Sequence, residues 1–114
     1  SLNSLRKEDL VKILTEPKYA LCKQYHKLLD YDGVALSFES GALDAIAEKA
    51  IARQIGARGL RAIMEGIMTK IMFEIPSDPT IQSVLITEDC VRSGAEPKIK
   101  RDSTKPRQPI QNAV

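Results

Sequence analysis

The strongest constraint in this chain is a run of aliphatic side chains, Leu60, Ile63, Met64, Ile67, Met68, Ile71, Met72 and Ile75, spaced alternately three and one residues apart and followed by Pro76 and Pro79. Such spacing puts them all on one side of a 3.6-residue helix and predicts about four turns, with Pro76 as the expected stop. A helix with a continuous apolar stripe cannot bury it alone. The rest of the chain must therefore supply partners, and it divides into segments short enough to do so. The methionines interleave with the isoleucines, so they read as core and not as a recruiting groove.

Leu10, Ile13 and Leu14 predict a first amphipathic helix over Leu5 to Leu14, ending at Thr15-Glu16-Pro17. Pro17 fits the first turn of a second helix with Leu21, Tyr25, Leu28 and Leu29 on its apolar face, stopped by Asp30-Tyr31-Asp32-Gly33. Val34, Leu36 and Phe38 then alternate as in a short strand. Ser40 is the expected cap of a third helix whose face is Leu43, Ile46, Ala47, Ala50 and Ile51, with Gly56 as the left-handed residue closing it. Beyond the prolines, Ser83 to Thr87 reads as a strand, Glu88 to Val91 as one helical turn capped by Thr87, and Lys98-Ile99-Lys100 as an edge strand. The predicted fold class is α+β, mostly helical, with a small β-sheet.

The 114 residues allow one domain, here residues 1–101, followed by a flexible basic tail over 102–114. At 43% hydrophobic and 28% charged residues the composition excludes wholesale disorder and fibrous repeats. There is no apolar run of the roughly 18 residues that span a bilayer and no signal-like start, which points to a soluble, cytoplasmic chain with no membrane partner. The first residue is Ser1 and not Met, which points to a piece of a longer polypeptide. Residues 98–107 hold Lys98, Lys100, Arg101, Lys105 and Arg107 against Asp102, without an aromatic side chain for base stacking. That run reads as a solvated terminus, not a nucleic-acid site.

No phosphate-cradling G-x-x-x-x-G-K-[ST] loop, dinucleotide fingerprint, H-E-x-x-H or G-x-S-x-G occurs, so no independent catalytic centre is expected. His26 reads as a surface residue, and Cys22 and Cys90 as small buried apolar groups with no zinc spacing. Two features resist a purely structural reading. Ala62, Gly66, Thr69 and Phe73 form a small-residue stripe off the main apolar face, suited to packing the third helix or a partner. Arg58 and Arg61 stand at a helix start, where free amides already make the potential positive. Glu65 lies four residues after Arg61 and is placed to pair with it, but Arg58 has no such neighbour. With Gly56 and Gly59 beside it, that turn suits an approaching phosphate.

Gly56-Ala57-Arg58-Gly59-Leu60-Arg61 resembles the sensor-2 signature G-A-R-x-L that opens a helix in the small C-terminal domain of Clp/Hsp100-type AAA+ ATPases. Leu14-Thr15-Glu16-Pro17-Lys18, Ala20-Leu21 and Lys23-Gln24-Tyr25 resemble a block of the protease-associated unfoldases of that family, and Gly33-Val34 and Ala42 to Ala47 continue the likeness over roughly residues 2 to 100. The resemblance implies a small lid domain, with ATP or ADP bound between it and a large domain preceding it in the same chain. Mg²⁺ and the hydrolytic groups would belong to that large domain, and zinc only to an N-terminal domain. It implies Arg58 as the arginine reaching the phosphates, with Ala57, Gly59 and Leu60 shaping that side of the pocket. It further implies a homohexamer in which this domain docks on the next subunit's large domain, with Gly66, Thr69 and Phe73 as the candidate contact. Such a ring unfolds protein substrates and delivers them to the ClpP protease. Arg6 and Lys7 depart from the family's usual cap and acid, which predicts a weaker start to the first helix. Another class of reading is a standalone helical module whose basic tail binds acidic partners or nucleic acid.

Overall fold

The computed structural model describes residues 6–16 and 21–104. The expectations for Pro17, for the chain before Arg6 and for the tail beyond Thr104 lie outside the described residues. In chain order the elements are α1 (Lys7–Thr15), α2 (Leu21–Tyr31), β1 (Ala35–Phe38), α3 (Ser40–Ala52), α4 (Gly56–Ser77), β2 (Ile81–Ile86), α5 (Glu88–Ser93) and β3 (Lys98–Arg101). The strands form one sheet in the order β1-β2-β3, with β1 parallel and β3 antiparallel to β2. A parallel pair needs a long crossover, and α3 with α4 supplies it. The protein is an α+β domain dominated by helices.

Helix α4 is the spine that the periodicity predicts. Leu60, Ile63, Met64, Met68, Ile71 and Ile75 are buried, with Ile67 and Met72 half-buried at the margins of the stripe. The helix does not stop at Pro76 but runs through it to Ser77, and the Asp78 amide then bonds the Ile75 carbonyl at 3.3 Å. In the last turn a proline forfeits a single helical bond, so the break costs little there.

Two helix faces differ from expectation. The buried side of α3 is Ala42, Ala45, Ile46, Ala47 and Ala50, while Ile51 faces solvent and Leu43 is half-buried. Helix α3 packs against α1, α4 and α5 together, and three close neighbours select methyl-sized side chains over the longer ones that periodicity alone would pick. On α2, Leu21, Cys22 and Leu29 are buried but Leu28 is 49% exposed, and the helix continues through Asp30 to Tyr31. Its exit comes at Gly33, with φ 79°, where the Val34 amide turns back onto the Leu29 carbonyl at 2.8 Å. Only then does β1 begin, with Leu36 pointing to the core.

Capping is more local than the residue types at α1 suggest. The Asp9 carboxylate accepts the Arg6 amide at 3.0 Å, and Glu8 and Asp9 put negative charge in the first turn, so acids inside the helix replace the missing cap. Thr87 caps α5 as expected; its Oγ1 accepts the Cys90 amide at 3.3 Å, and Cys90 Sγ accepts the Thr87 amide at 3.4 Å. Strand β2 starts earlier than predicted, at buried Ile81, and ends at Ile86, which frees Thr87 to cap. A charged chain crosses three helices. Glu48 accepts from Lys7 Nζ at 3.3 Å and Arg92 Nη1 at 2.8 Å, while Arg92 Nε donates to Glu88 at 2.5 Å. Among the described residues no helix is long and apolar enough to cross a membrane.

Met68 is fully buried in the middle of α4, and Met68→Ala should destabilise the domain by about 2–5 kcal/mol, read by urea or thermal unfolding. Glu48 has its pKa held below the ordinary carboxylate value, first by the Arg92 hydrogen bond and then by Lys7. A depressed folded pKa means the contribution is complete above the unfolded value and is lost as pH falls through the folded one. The acid limb of a Tm-against-pH curve should therefore be shallower in Glu48→Gln than in the parent chain.

Candidate functional site

The link between α3 and α4 sets the direction of the turn that carries Arg58. Helix α3 closes with paired bonds, the Gln54 amide to the Ile51 carbonyl at 2.9 Å and the Ile55 amide to the Ala50 carbonyl at 3.1 Å. This is the Schellman arrangement, and the left-handed residue in it is Gln54, with φ 57°, not Gly56 as expected. Gly56 is also left-handed, at φ 58°, but it begins α4. Two positive-φ residues so close together turn the chain sharply, and only the second is a glycine.

The first turn of α4 lacks a side-chain cap, and no acid lies in it. Its leading amides consequently keep their positive potential. Ala57 and Arg58 are exposed. Arg58 makes no ion pair among the described residues, and it lines an open concavity of about 490 Å³ with Gln54, Ile55, Gly59 and Ala62. Gly59 is buried because Ile55 lies over it: a Cβ added at residue 59 would come within 2.8 Å of Ile55 Cβ and closer still to Cγ1 and Cδ1. Leu60 is fully buried and anchors the turn in the core. The turn thus presents Ala57 and Arg58 outward and holds itself by Gly59 and Leu60.

Arg61 and Glu65 do not form an ion pair among the described residues. Instead both act on Tyr25 of α2, whose phenol is pushed up by burial first and by Glu65 next, with Arg61 opposing. On the stripe beyond, Gly66 and Thr69 are exposed and Phe73 is 81% exposed, so Phe73 does not pack against α3. His26 is half-buried, unlike the surface residue expected, with its ring edge-on to Phe38 at 6.0 Å between centroids. Cys22 is buried and its thiol is pushed up to about 11 by desolvation, which keeps it protonated and unreactive at neutral pH. Among the described residues no cluster of His, Cys, Asp and Glu would hold a metal ion. What residue pattern alone misses is Ile55: an aliphatic residue four positions before a glycine carries no signal until the turn brings them together.

This turn is mounted on a small, mostly helical domain with a mixed three-stranded sheet. The chain belongs to the C-terminal small-domain family of the Clp/Hsp100 AAA+ proteins: the family model for the C-terminal, D2-small domain of ClpB protein matches residues 5–86. Similar curated proteins are the ATP-dependent Clp protease ATP-binding subunits ClpX of Borrelia duttonii (strain Ly) and Borrelia recurrentis (strain A1), each 48% identical over 99 residues. The match covers 86% of this chain but 23% of either relative, so the chain spans about a quarter of their length.

On helix propensity alone Gly59→Ala would stabilise α4 by about 1 kcal/mol. The contact with Ile55 reverses that sign, and a net loss of about 1–2 kcal/mol is expected from overpacking. In an Ile55→Ala background, where the two closest of the contacts are gone, most of that loss should be recovered, as thermal unfolding of the four chains would show.

Proposed function

We propose that this domain senses nucleotide and helps assemble the ring of an ATP-dependent protein unfoldase that feeds a ClpP-type protease. The observation that carries the reading is the uncapped first turn of α4 with Arg58 exposed and unpaired beside an open concavity, in a chain 48% identical to proteins named as ATP-binding subunits. The residues present fit a phosphate group. Free amides, a forked guanidinium and two left-handed backbone positions offer donors and lack carboxylates that would repel it. When bound, ATP or ADP would supply anionic oxygens for these donors. Arg58 would hold them, Ala57 and Gly59 would leave room for them, and Leu60 would keep the turn rigid against the core.

The remaining groups belong to other parts of the same assembly. Mg²⁺ and the attacking water would be handled by a large AAA+ domain preceding this one, and the nucleotide would sit between the two. A change in what Arg58 meets would then alter the angle between rigid bodies, because α4 runs from that turn through the whole core. Gly66, Thr69 and Phe73 would face the large domain of the neighbouring subunit in a homohexamer, which accounts for a phenylalanine left 81% exposed. Protein substrates and ClpP would be met by parts beyond this domain.

The test uses the full-length protein that carries the domain. Arg58→Ala should lower ATP hydrolysis and coupled unfolding by about 100-fold, the scale of losing one charge-stabilising donor, with a smaller change in nucleotide affinity. Arg58→Lys, which keeps the charge but not the fork, should recover part of the rate. Phe73→Ala should shift sedimentation from hexamer toward smaller species while leaving the isolated domain's Tm unchanged. Normal hydrolysis in Arg58→Ala would overturn the phosphate assignment.

A further inference from the structure

A second concavity, of about 340 Å³, lies between α4, the end of α3 and residues 94–97. Its floor is aliphatic, with buried Ile63 and Ile71 and half-buried Ile67. Gly66 opens onto it, and a Cβ built there meets nothing within 4 Å. The charges on its walls are unevenly matched. At the end nearer the α4 C-terminus, Lys70 is paired with Glu96 at 2.5 Å and also feels Glu74. At the other end, Lys49 and Arg53 of the α3 terminus line the wall, and neither has an ion pair among the described residues. Two cations at a helix C-terminus suit the dipole, but the dipole does not require them to flank an apolar trough.

We infer that this trough is a docking groove for an acidic peptide segment of a partner polypeptide, which seats an aliphatic or aromatic side chain on Ile63, Ile67 and Ile71 and sets a carboxylate between Lys49 and Arg53. The inference rests on the reading of Gly66 as partner-facing and names the chemistry of what faces it. Charge complementarity selects this occupant. A basic segment would set like charges against Lys49 and Arg53, whereas an acidic one satisfies both; the far end holds Glu74 and Glu96 against the single Lys70, so it is the wrong end for an incoming carboxylate. The groove also fixes polarity, since the carboxylate must lie at the end toward Arg53 and the apolar anchor toward Ile71. Gly66 keeps the trough open, and a large side chain there would obstruct it.

The experiment is a selection from a phage library of random twelve-residue peptides on the 114-residue chain, followed by fluorescence anisotropy of the recovered peptides. Recovered sequences should share Asp or Glu three or four residues from a Leu, Ile, Phe or Met. Gly66→Leu, which raises helix propensity and should keep or raise Tm, should abolish their binding. The Lys49→Glu, Arg53→Glu double variant should weaken it by about tenfold or more, the scale of two exposed ion pairs turned repulsive. The inference is overturned by recovery of no common pattern, by basic sequences, or by peptides that bind Gly66→Leu as well as the parent. It is likewise overturned if the chain self-associates through this face, seen as a concentration-dependent sedimentation coefficient that Gly66→Leu removes. The ring-contact reading on which it rests is tested apart, by sedimentation of the full-length Phe73→Ala protein, so the two fall separately.

Discussion

The burial of one face of α4 is the interaction on which the other elements depend. Helix α4 is 22 residues long, and its stripe of Leu60, Met64, Met68 and Ile75 is fully enclosed. Helices α3 and α1 pack against it, and the buried residues of the strands join the same core. The same burial decides what is left over. A helix with one face fully committed has its other face and its leading turn free, and these are where the unpaired arginine, the open glycine and the exposed phenylalanine are found.

How much of this is legible from residues alone follows from how local each cause is. The apolar stripe of α4, the alternation at Leu36 and Phe38, and the Thr87 cap are set by neighbours in sequence, and each is found where its pattern puts it. The α3 face is not, because its choice of Ala42 and Ala45 over Ile51 is made by helices distant in the chain. Leu28 is misplaced for the same reason: a leucine at the right period is apolar whether or not anything comes to cover it. At the α3–α4 link, glycine is the natural candidate for a left-handed residue, yet Gln54 takes it, since the Schellman bonds of Gln54 and Ile55 hold the geometry from outside the residue.

The candidate site divides in the same way. Arg58 stands out in sequence because a cation at an uncapped helix start is electrostatically misplaced unless an anion arrives. The lining of the site does not stand out. Ile55 and Gly59 become a pair only through the turn, and Lys49 and Arg53 become one wall of a groove only when α3 lies beside α4. Pairing separates the cations: Lys7, Arg92, Lys70 and Arg101 find carboxylates within the domain, whereas Arg58, Lys49 and Arg53, each beside a concavity, make no ion pair among the described residues.

The parallel pairing of β1 with β2 has a consequence for how the domain comes into being. Ser37 lies opposite Leu85, and everything between them, including the Arg58 turn, is the loop that this pairing must close. Closing so long a connection is entropically the late step, because non-local strands are rewarded only after the intervening chain is confined. Helix α4 can form early on its own periodicity, and the turn that carries Arg58 is set locally, by the α3–α4 link. The sheet then pins both ends of that two-helix excursion, so a change in the length of either helix is felt as strain on the β1–β2 register.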